Sequence, residues 1–185
     1  IIPSPIGNLD DFTIRAINTI KELDFLVVEN KSSAQKLLKK YSLSVKDIFI
    51  YNDHSSDKNR LKIIKLLKEN KAGGILSEAG TPLISDPGYK LILEIINQKI
   101  RVIPLPGPSS VITSLVASGL PTDKFQFCGF LPKKEKDLQK TLTKCLNYEG
   151  TSIFFESSHR IYSTLKVIKE LFGNNAKVCV AKEIS

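Results

Sequence analysis

Short apolar runs alternate with amphipathic stretches along the whole chain. Phe25-Leu-Val-Val28 is apolar throughout and too short for a helix, so it predicts a strand. Lys31 to Tyr41 predicts a helix and Asp47 to Tyr51 a strand. Asp57 to Asn70 predicts a second helix, with Leu61, Ile64, Leu67 and Lys68 at helical spacing. Gly74-Ile-Leu76 and Ile100-Arg-Val-Ile103 predict buried strands, and Pro87 to Gln98 and Ser109 to Ser118 the helices after them. Gly119-Leu-Pro-Thr-Asp123 predicts a break. Beyond it come a strand at Phe125 to Cys128, a helix at Lys136 to Leu146, a strand at Thr151 to Phe155, a helix at Ser158 to Phe172 and a strand at Lys177 to Ala181. This alternation predicts an α/β fold with a largely parallel sheet. It divides the chain into a first domain over residues 1–120 and a second over 123–185. The second is small for an independent core, and its last strand has no follow-on. It is therefore expected to be incomplete, the chain being a fragment whose C-terminal part is absent. The opening Ile1, in place of Met, gives the same expectation for the start.

Composition narrows the class. Of 185 residues, 42% are hydrophobic, enough for one good core or two modest ones. No run of about eighteen apolar residues exists to span a membrane, and no signal peptide is visible, so a cytoplasmic protein is expected. Cys128, Cys145 and Cys179 are odd in number and far apart. They form neither a disulfide framework nor a CxxC metal site, which fits reduced thiols. His54 and His159 are the only histidines, so a His-rich zinc site is excluded and no metal is expected. The net charge of +8, from 27 basic against 19 acidic residues, invites a polyanion such as RNA. Lysine spread over solvated helix faces is the alternative, and the run Lys133-Lys-Glu-Lys136 is open to both explanations.

In open α/β sheets ligands bind beyond the carboxyl ends of the strands. Three unusual loops occupy that position. Pro3-Ser-Pro-Ile-Gly-Asn-Leu-Asp-Asp11 follows the opening strand residues, with Asp10 or Asp11 placed to cap a helix starting near Thr13. It contains neither GxGxxG nor GxxxxGK[ST], so a dinucleotide or triphosphate cradle is unsupported. Ser77-Glu-Ala-Gly-Thr-Pro-Leu-Ile-Ser-Asp-Pro-Gly88 holds two prolines and two glycines in twelve residues. Such restriction fixes main-chain N–H and C=O groups in directions that can clasp a small polar ligand. Asp86-Pro87 also reads as an N-cap followed by a first helical residue. In Pro104-Leu-Pro-Gly-Pro-Ser-Ser110 the two serines open a helix. Any one loop could be only a turn; three at successive strand ends point to a ligand cleft.

Pro5 to Asp10, Ala79-Gly-Thr-Pro-Leu-Ile-Ser-Asp-Pro-Gly88, Pro104 to Ser109, Gly129-Phe-Leu-Pro132 and Glu156-Ser-Ser-His-Arg160 resemble the tetrapyrrole-methylase superfamily. The ribosomal RNA small-subunit methyltransferase I branch is the nearest likeness, and the resemblance runs in the same order over essentially the whole chain. It implies a class III S-adenosylmethionine-dependent methyltransferase, with two α/β domains, the cofactor in the cleft between them, and a homodimer. It implies transfer to the ribose 2′-hydroxyl of a cytidine in small-subunit ribosomal RNA, with that RNA or the assembled small subunit as partner. The implied cofactor contacts are Ile6, Ala79, Gly80, Thr81, Ile84, Ser109, Ser110 and, from the second domain, Glu156. Glu29 aligns with an acidic residue that accepts a proton in some tetrapyrrole-methylating relatives. The chain departs from the branch at Glu29-Asn-Lys-Ser-Ser33, where Glu-Asp-Thr-Arg is usual. It departs also at Glu78 for Asp, Ser158 for Pro and Lys182 for Arg.

Methyl transfer from a sulfonium is an in-line displacement, for which alignment and exclusion of water are the main requirements. A ribose hydroxyl is a poor nucleophile, so a base should help. Glu29 is the expected base, with Glu78 or Glu156 as alternates. A strand-end carboxylate paired with a lysine is the structural alternative for Glu29. His159 and Arg160 are candidates for an RNA phosphate, and a structural helix-start pair is the alternative there. Two rival functions remain: a tetrapyrrole methyltransferase on the same fold, and a non-catalytic RNA-binding or ribosome-assembly relative.

Overall fold

The computed structural model describes residues 1–52 and 57–185; His54 lies outside them. The chain forms two compact units, residues 1–110 with Ser185, and residues 111–184. The segment Gly119 to Asp123 falls inside the second.

The first unit is built on strand β1 (Phe25–Val28), flanked by β2 (Asp47–Ile50) and β3 (Gly73–Leu76) in the order β2-β1-β3, all parallel. All four side chains of β1 are buried. Successive residues of a strand face opposite ways, and two separate cores result. Leu26 and Val28 join Ile2, Phe12, Ala16, Ile20, Leu37 and Leu38 on one face. Phe25 and Val27 join Tyr51, Ile63, Ile64, Leu91 and Ile95 on the other. A parallel strand covered on both faces has to be apolar throughout, which is why Phe-Leu-Val-Val does not alternate. Helices α1 (Ile14–Lys21) and α2 (Lys31–Lys40) supply residues to the first core, and α3 (Asp57–Lys68) and α4 (Tyr89–Asn97) to the second.

The opening residues extend this sheet on the β3 side. Ile2 makes an isolated parallel bridge to Leu76, and the Ile1 carbonyl accepts from the Leu105 N–H at 2.9 Å. The α/β expectation with parallel sheets is borne out. Ile100 to Ile103, however, forms no regular strand: its neighbour is the short opening segment, too brief for a ladder, and Ile103 stays half exposed. Local details differ as well. Thr13, not Asp10 or Asp11, caps α1, its Oγ1 accepting from the Ala16 N–H at 3.0 Å. Both aspartates sit in a 3-10 turn that Asn8 caps. Gly88, not Asp86, precedes α4, because the chain still needs a φ of 123° there. In α3 the buried pair is Ile63 and Ile64, while Leu61 is 60% exposed; an apolar run at 61, 63, 64, 66 and 67 does not define a single face.

In the second unit β4 (Phe125–Phe130) pairs in parallel with β5 (Thr151–Phe155). Helices α5 (Ser110–Ala117), α6 (Glu135–Leu146) and α7 (Ile161–Phe172) complete the elements. Its core is small: Leu131, Leu138, Leu142 and Val167, with Phe154 and Leu171 against them. Lys177 to Ala181, expected as a strand, has no ladder among the described residues, and Val178 and Val180 are about half exposed. The alternating pattern is present there without a partner strand to turn it into a ladder. No helix among the described residues is long and apolar enough to cross a membrane.

Candidate active site

The carboxyl ends of β1 and β3 lie on one edge of the parallel sheet, so Glu29 and Ser77 emerge side by side. The loop after β3 is pinned at its base. Ser4 and Gly80 form an antiparallel bridge, Ser4 N–H to Gly80 C=O at 2.9 Å and Gly80 N–H to Ser4 C=O at 3.0 Å. The Ser77 hydroxyl donates to the same Gly80 carbonyl at 2.6 Å and lies 3.3 Å from the Ser4 hydroxyl. Both serines are buried, and the pair satisfies polar groups that would otherwise be costly there.

Gly80 thus spends its own N–H and C=O on the fold. A glycine is needed there: φ is 77°, and an added Cβ would stand 3.2 Å from Ile6 Cγ2 and 3.8 Å from the Pro108 carbonyl oxygen. Beyond it, Thr81 Oγ1 donates to the Pro108 carbonyl at 2.9 Å, tying this loop to the one carrying Ser109 and Ser110. Leu83 and Ser85 adopt φ of 75° and 62°. Two non-glycine residues in the left-handed region within three positions store strain of about 1–3 kcal/mol each, and such strain clusters at ligand clamps. Ile84, between them, is 44% exposed. Ile6, Ala79, Gly80, Thr81, Ser109 and Ser110 therefore belong to loops in mutual contact.

Glu29 is exposed at the end of β1, and no ion pair involves it among the described residues. The lysine partner of the structural alternative is thus not seen. Glu29 and Asp86 both line a crevice of about 10 Å³ with Tyr51, Ser77, Pro82 and Pro87, a space of roughly one water. Asp86 is the residue that sequence reasoning missed, because Asp-Pro-Gly reads as a helix start. Desolvation, then the charges of Glu29 and Glu78, push its carboxyl from 3.8 up to about 6. A second cavity of about 380 Å³ opens on the other flank of Glu29, toward α2. Asn30 closes the base of that helix by capping it, its Oδ1 accepting from the Ser32 N–H at 2.9 Å and the Ser33 N–H at 3.4 Å. No group of three His, Cys, Asp or Glu side chains among the described residues could hold a metal ion.

In the second unit Glu156 is deeply engaged. Its Oε2 accepts from Thr164 Oγ1 and its Oε1 from the Ser157 N–H, both at 2.8 Å, and Arg160 Nη1 lies 3.3 Å from Oε1. Arg160 also donates to the Leu131 and Pro132 carbonyls at 3.1 and 2.6 Å. These bonds tie the start of α7 to the end of β4, as the structural alternative for Arg160 requires. His159 beside it is exposed.

Comparison with known proteins matches the chain to one family. The profile of the Tetrapyrrole (Corrin/Porphyrin) Methylases matches residues 1–185. A protein of Rickettsia prowazekii named Ribosomal RNA small subunit methyltransferase I is 45% identical over all of this chain, which spans 65% of that protein's length. The Thermotoga maritima protein of the same name is 41% identical, and the chain covers 82% of it. Among solved structures, a cobalamin biosynthetic enzyme, cobalt precorrin-4 methyltransferase, superposes with a TM-score of 0.67 at 15% identity, over 94% of this chain and 74% of that one. Diphthine synthase does so at 0.65 and 13% identity, over 92% and 70%. These distant structures share the fold. With the profile covering every residue and relatives above 40% identity matching over the whole of this chain, the chain belongs to the tetrapyrrole (corrin/porphyrin) methylases.

Proposed function

We propose that this chain carries the catalytic part of an S-adenosylmethionine-dependent methyltransferase acting on small-subunit ribosomal RNA, at the 2′-hydroxyl of a cytidine ribose. The whole protein acts as a homodimer in this proposal. The observation that carries it is the pairing of Glu29, an exposed carboxylate between two cavities at the strand ends, with relatives named for that RNA at 41–45% identity. The basic composition, +8 overall, favours a polyanionic substrate over a tetrapyrrole.

The residues fit the cofactor. Gly80 lets this loop approach Ile6 more closely than a residue with a side chain could, since an added Cβ would stand 3.2 Å from Ile6 Cγ2. Ile6, Ala79, Gly80, Thr81, Ile84, Ser109 and Ser110, all of the first unit, would hold S-adenosylmethionine. When bound, it supplies an electrophilic methyl group. Glu29 accepts the ribose hydroxyl proton as the hydroxyl oxygen becomes nucleophilic. The strained, doubly pinned loop from Ser77 to Gly88 keeps its groups in place without reorganisation. His159, exposed beside the committed Arg160, is the candidate of that pair left free to face RNA phosphate.

The test is methyl transfer by the full-length protein to unmodified small-subunit RNA, followed by nuclease digestion and mass spectrometry. The expected product is 2′-O-methylcytidine. Glu29→Gln should lower kcat by about 100-fold or more while leaving the cofactor Kd within about twofold. A methylated base, or full activity in Glu29→Gln, would refute the proposal as stated.

A further inference from the structure

The cavity of about 380 Å³ is lined partly by the loops that carry Ile6 and Ala79 and partly by the end of β1 and the first turns of α2. Ile6 and Ala79 face it, but Gly80, Thr81, Ser109 and Ser110 do not line it. Its floor is Val28 and Leu76, both buried strand-end residues. One apolar wall is Leu9, held by the Tyr41 hydroxyl, which donates to its carbonyl. The other is Ala34 and Leu37 of α2. Its floor and its α2 wall are part of the first core, which holds them in place, while Leu9 stands outside that core.

Three charged side chains stand at the rim: Glu29 and Glu78 at the strand ends and Lys36 on α2, all exposed. The other polar groups there are already partly spent, Asn30 on the helix cap and Ser77 on Gly80. A ligand suited to this cavity has a flat body for apolar walls, hydroxyls for carboxylates and one anionic group for an ammonium. Its volume lies near the lower end of the roughly 300–1,000 Å³ range of small-molecule sites, a size for one nucleotide.

We propose that this cavity seats the acceptor ribonucleotide, its base between Leu9 and Leu37, its ribose hydroxyl toward Glu29 and an adjoining phosphate at Lys36. The inference rests on the RNA-methyltransferase function and adds to it the place of the substrate. Ile6 and Ala79 then form a shared partition. Acceptor and methyl donor meet across it, the proximity that an in-line displacement needs.

Two plugs test it in the full-length protein: Leu9→Trp and Ser33→Trp. Leu9 is 41% exposed and Ser33 half-buried, so neither replaces a core side chain. Both variants should keep the parent's melting temperature within a few degrees. They should bind S-adenosylhomocysteine within about twofold of the parent by calorimetry, and lose about 100-fold or more in kcat/KM toward unmodified small-subunit RNA. Lys36→Gln should raise KM for RNA about tenfold with kcat retained. Cytidine 3′-monophosphate, followed by saturation-transfer NMR, should bind the parent and not the plugs. Plugs that abolish S-adenosylhomocysteine binding would give the cavity to the cofactor's adenosine and overturn the proposal. Plugs that leave transfer unchanged would overturn it equally. A parent that binds the mononucleotide in a plug-sensitive way yet methylates no RNA would sink the methyltransferase function and leave the nucleotide site standing.

Discussion

Asp86→Asn should stabilise the protein, and only above acid pH. In the folded chain the Asp86 carboxyl is pushed from 3.8 up to about 6, by desolvation first and then by the negative charges of Glu29 and Glu78. The folded state therefore holds a proton through a window, about pH 4 to 6, in which the unfolded chain has released it. Where the folded state binds more protons, stability falls as pH rises. The parent thus loses stability across that window and carries the full penalty above it. From 3.8 to about 6 spans roughly two pH units. At about 1.4 kcal/mol per unit this would be about 3 kcal/mol for a sealed group. Asp86 is only half-buried, so solvent screening cuts the figure to about 1 kcal/mol. Asparagine cannot ionise and escapes the penalty. Urea unfolding of parent and variant, followed by circular dichroism from pH 3 to 8, reads the difference. The two should match at pH 3, and the variant should lead by about 1 kcal/mol from pH 7 upward. A difference that is flat with pH, or a variant less stable at pH 8, would refute the reasoning.

Gly80→Ala should cost about 1–2 kcal/mol, from a left-handed φ of 77° and a Cβ 3.2 Å from Ile6 Cγ2. It should weaken S-adenosylmethionine binding several-fold in calorimetry, and Gly80→Trp should abolish it; unchanged binding by the tryptophan variant would remove this loop from the cofactor site. Glu156→Ala leaves Arg160, Thr164 and the Ser157 N–H without their carboxylate. For a buried, multiply bonded carboxylate the loss should be about 3 kcal/mol, read as a lower urea midpoint, and a loss below 0.5 kcal/mol would show that the network is not structural.

The elements best read from the residues are those whose period or composition leaves one solution. Phe25 to Val28 is apolar at every position because both of its faces are covered, and Thr151 to Phe155 was delimited to the residue. Ile100 to Ile103 and Lys177 to Ala181 have equally good strand composition but lack regular ladders, since a strand exists only with a partner. The helix starts at Thr13 and Gly88 turned on backbone angles that Asp10, Asp86 and Pro87 do not reveal. Within the site, the loop from Ser77 to Gly88 is legible because its proline and glycine content restricts the chain locally. Asp86 is not, because its perturbation comes first from burial in the folded state and then from the charges of Glu29 and Glu78, the former distant in sequence. Nor is the cavity beside α2, whose walls come from four separate segments.

The departure at Asn30 bears on whether such a chain still catalyses. An aspartate there, as the family resemblance leads one to expect, would cap α2 through a side-chain oxygen. Asn30 Oδ1 does the same, accepting from Ser32 and Ser33, and N-caps rank asparagine and aspartate about equally. The exchange therefore keeps the helix start and removes one negative charge from the rim of the cavity that Lys36 also borders. Less negative charge there eases the approach of a phosphate chain. Glu29, the adjacent carboxylate, is kept and exposed. The carboxylate and the helix cap are both present, as the proposed site for an RNA substrate requires.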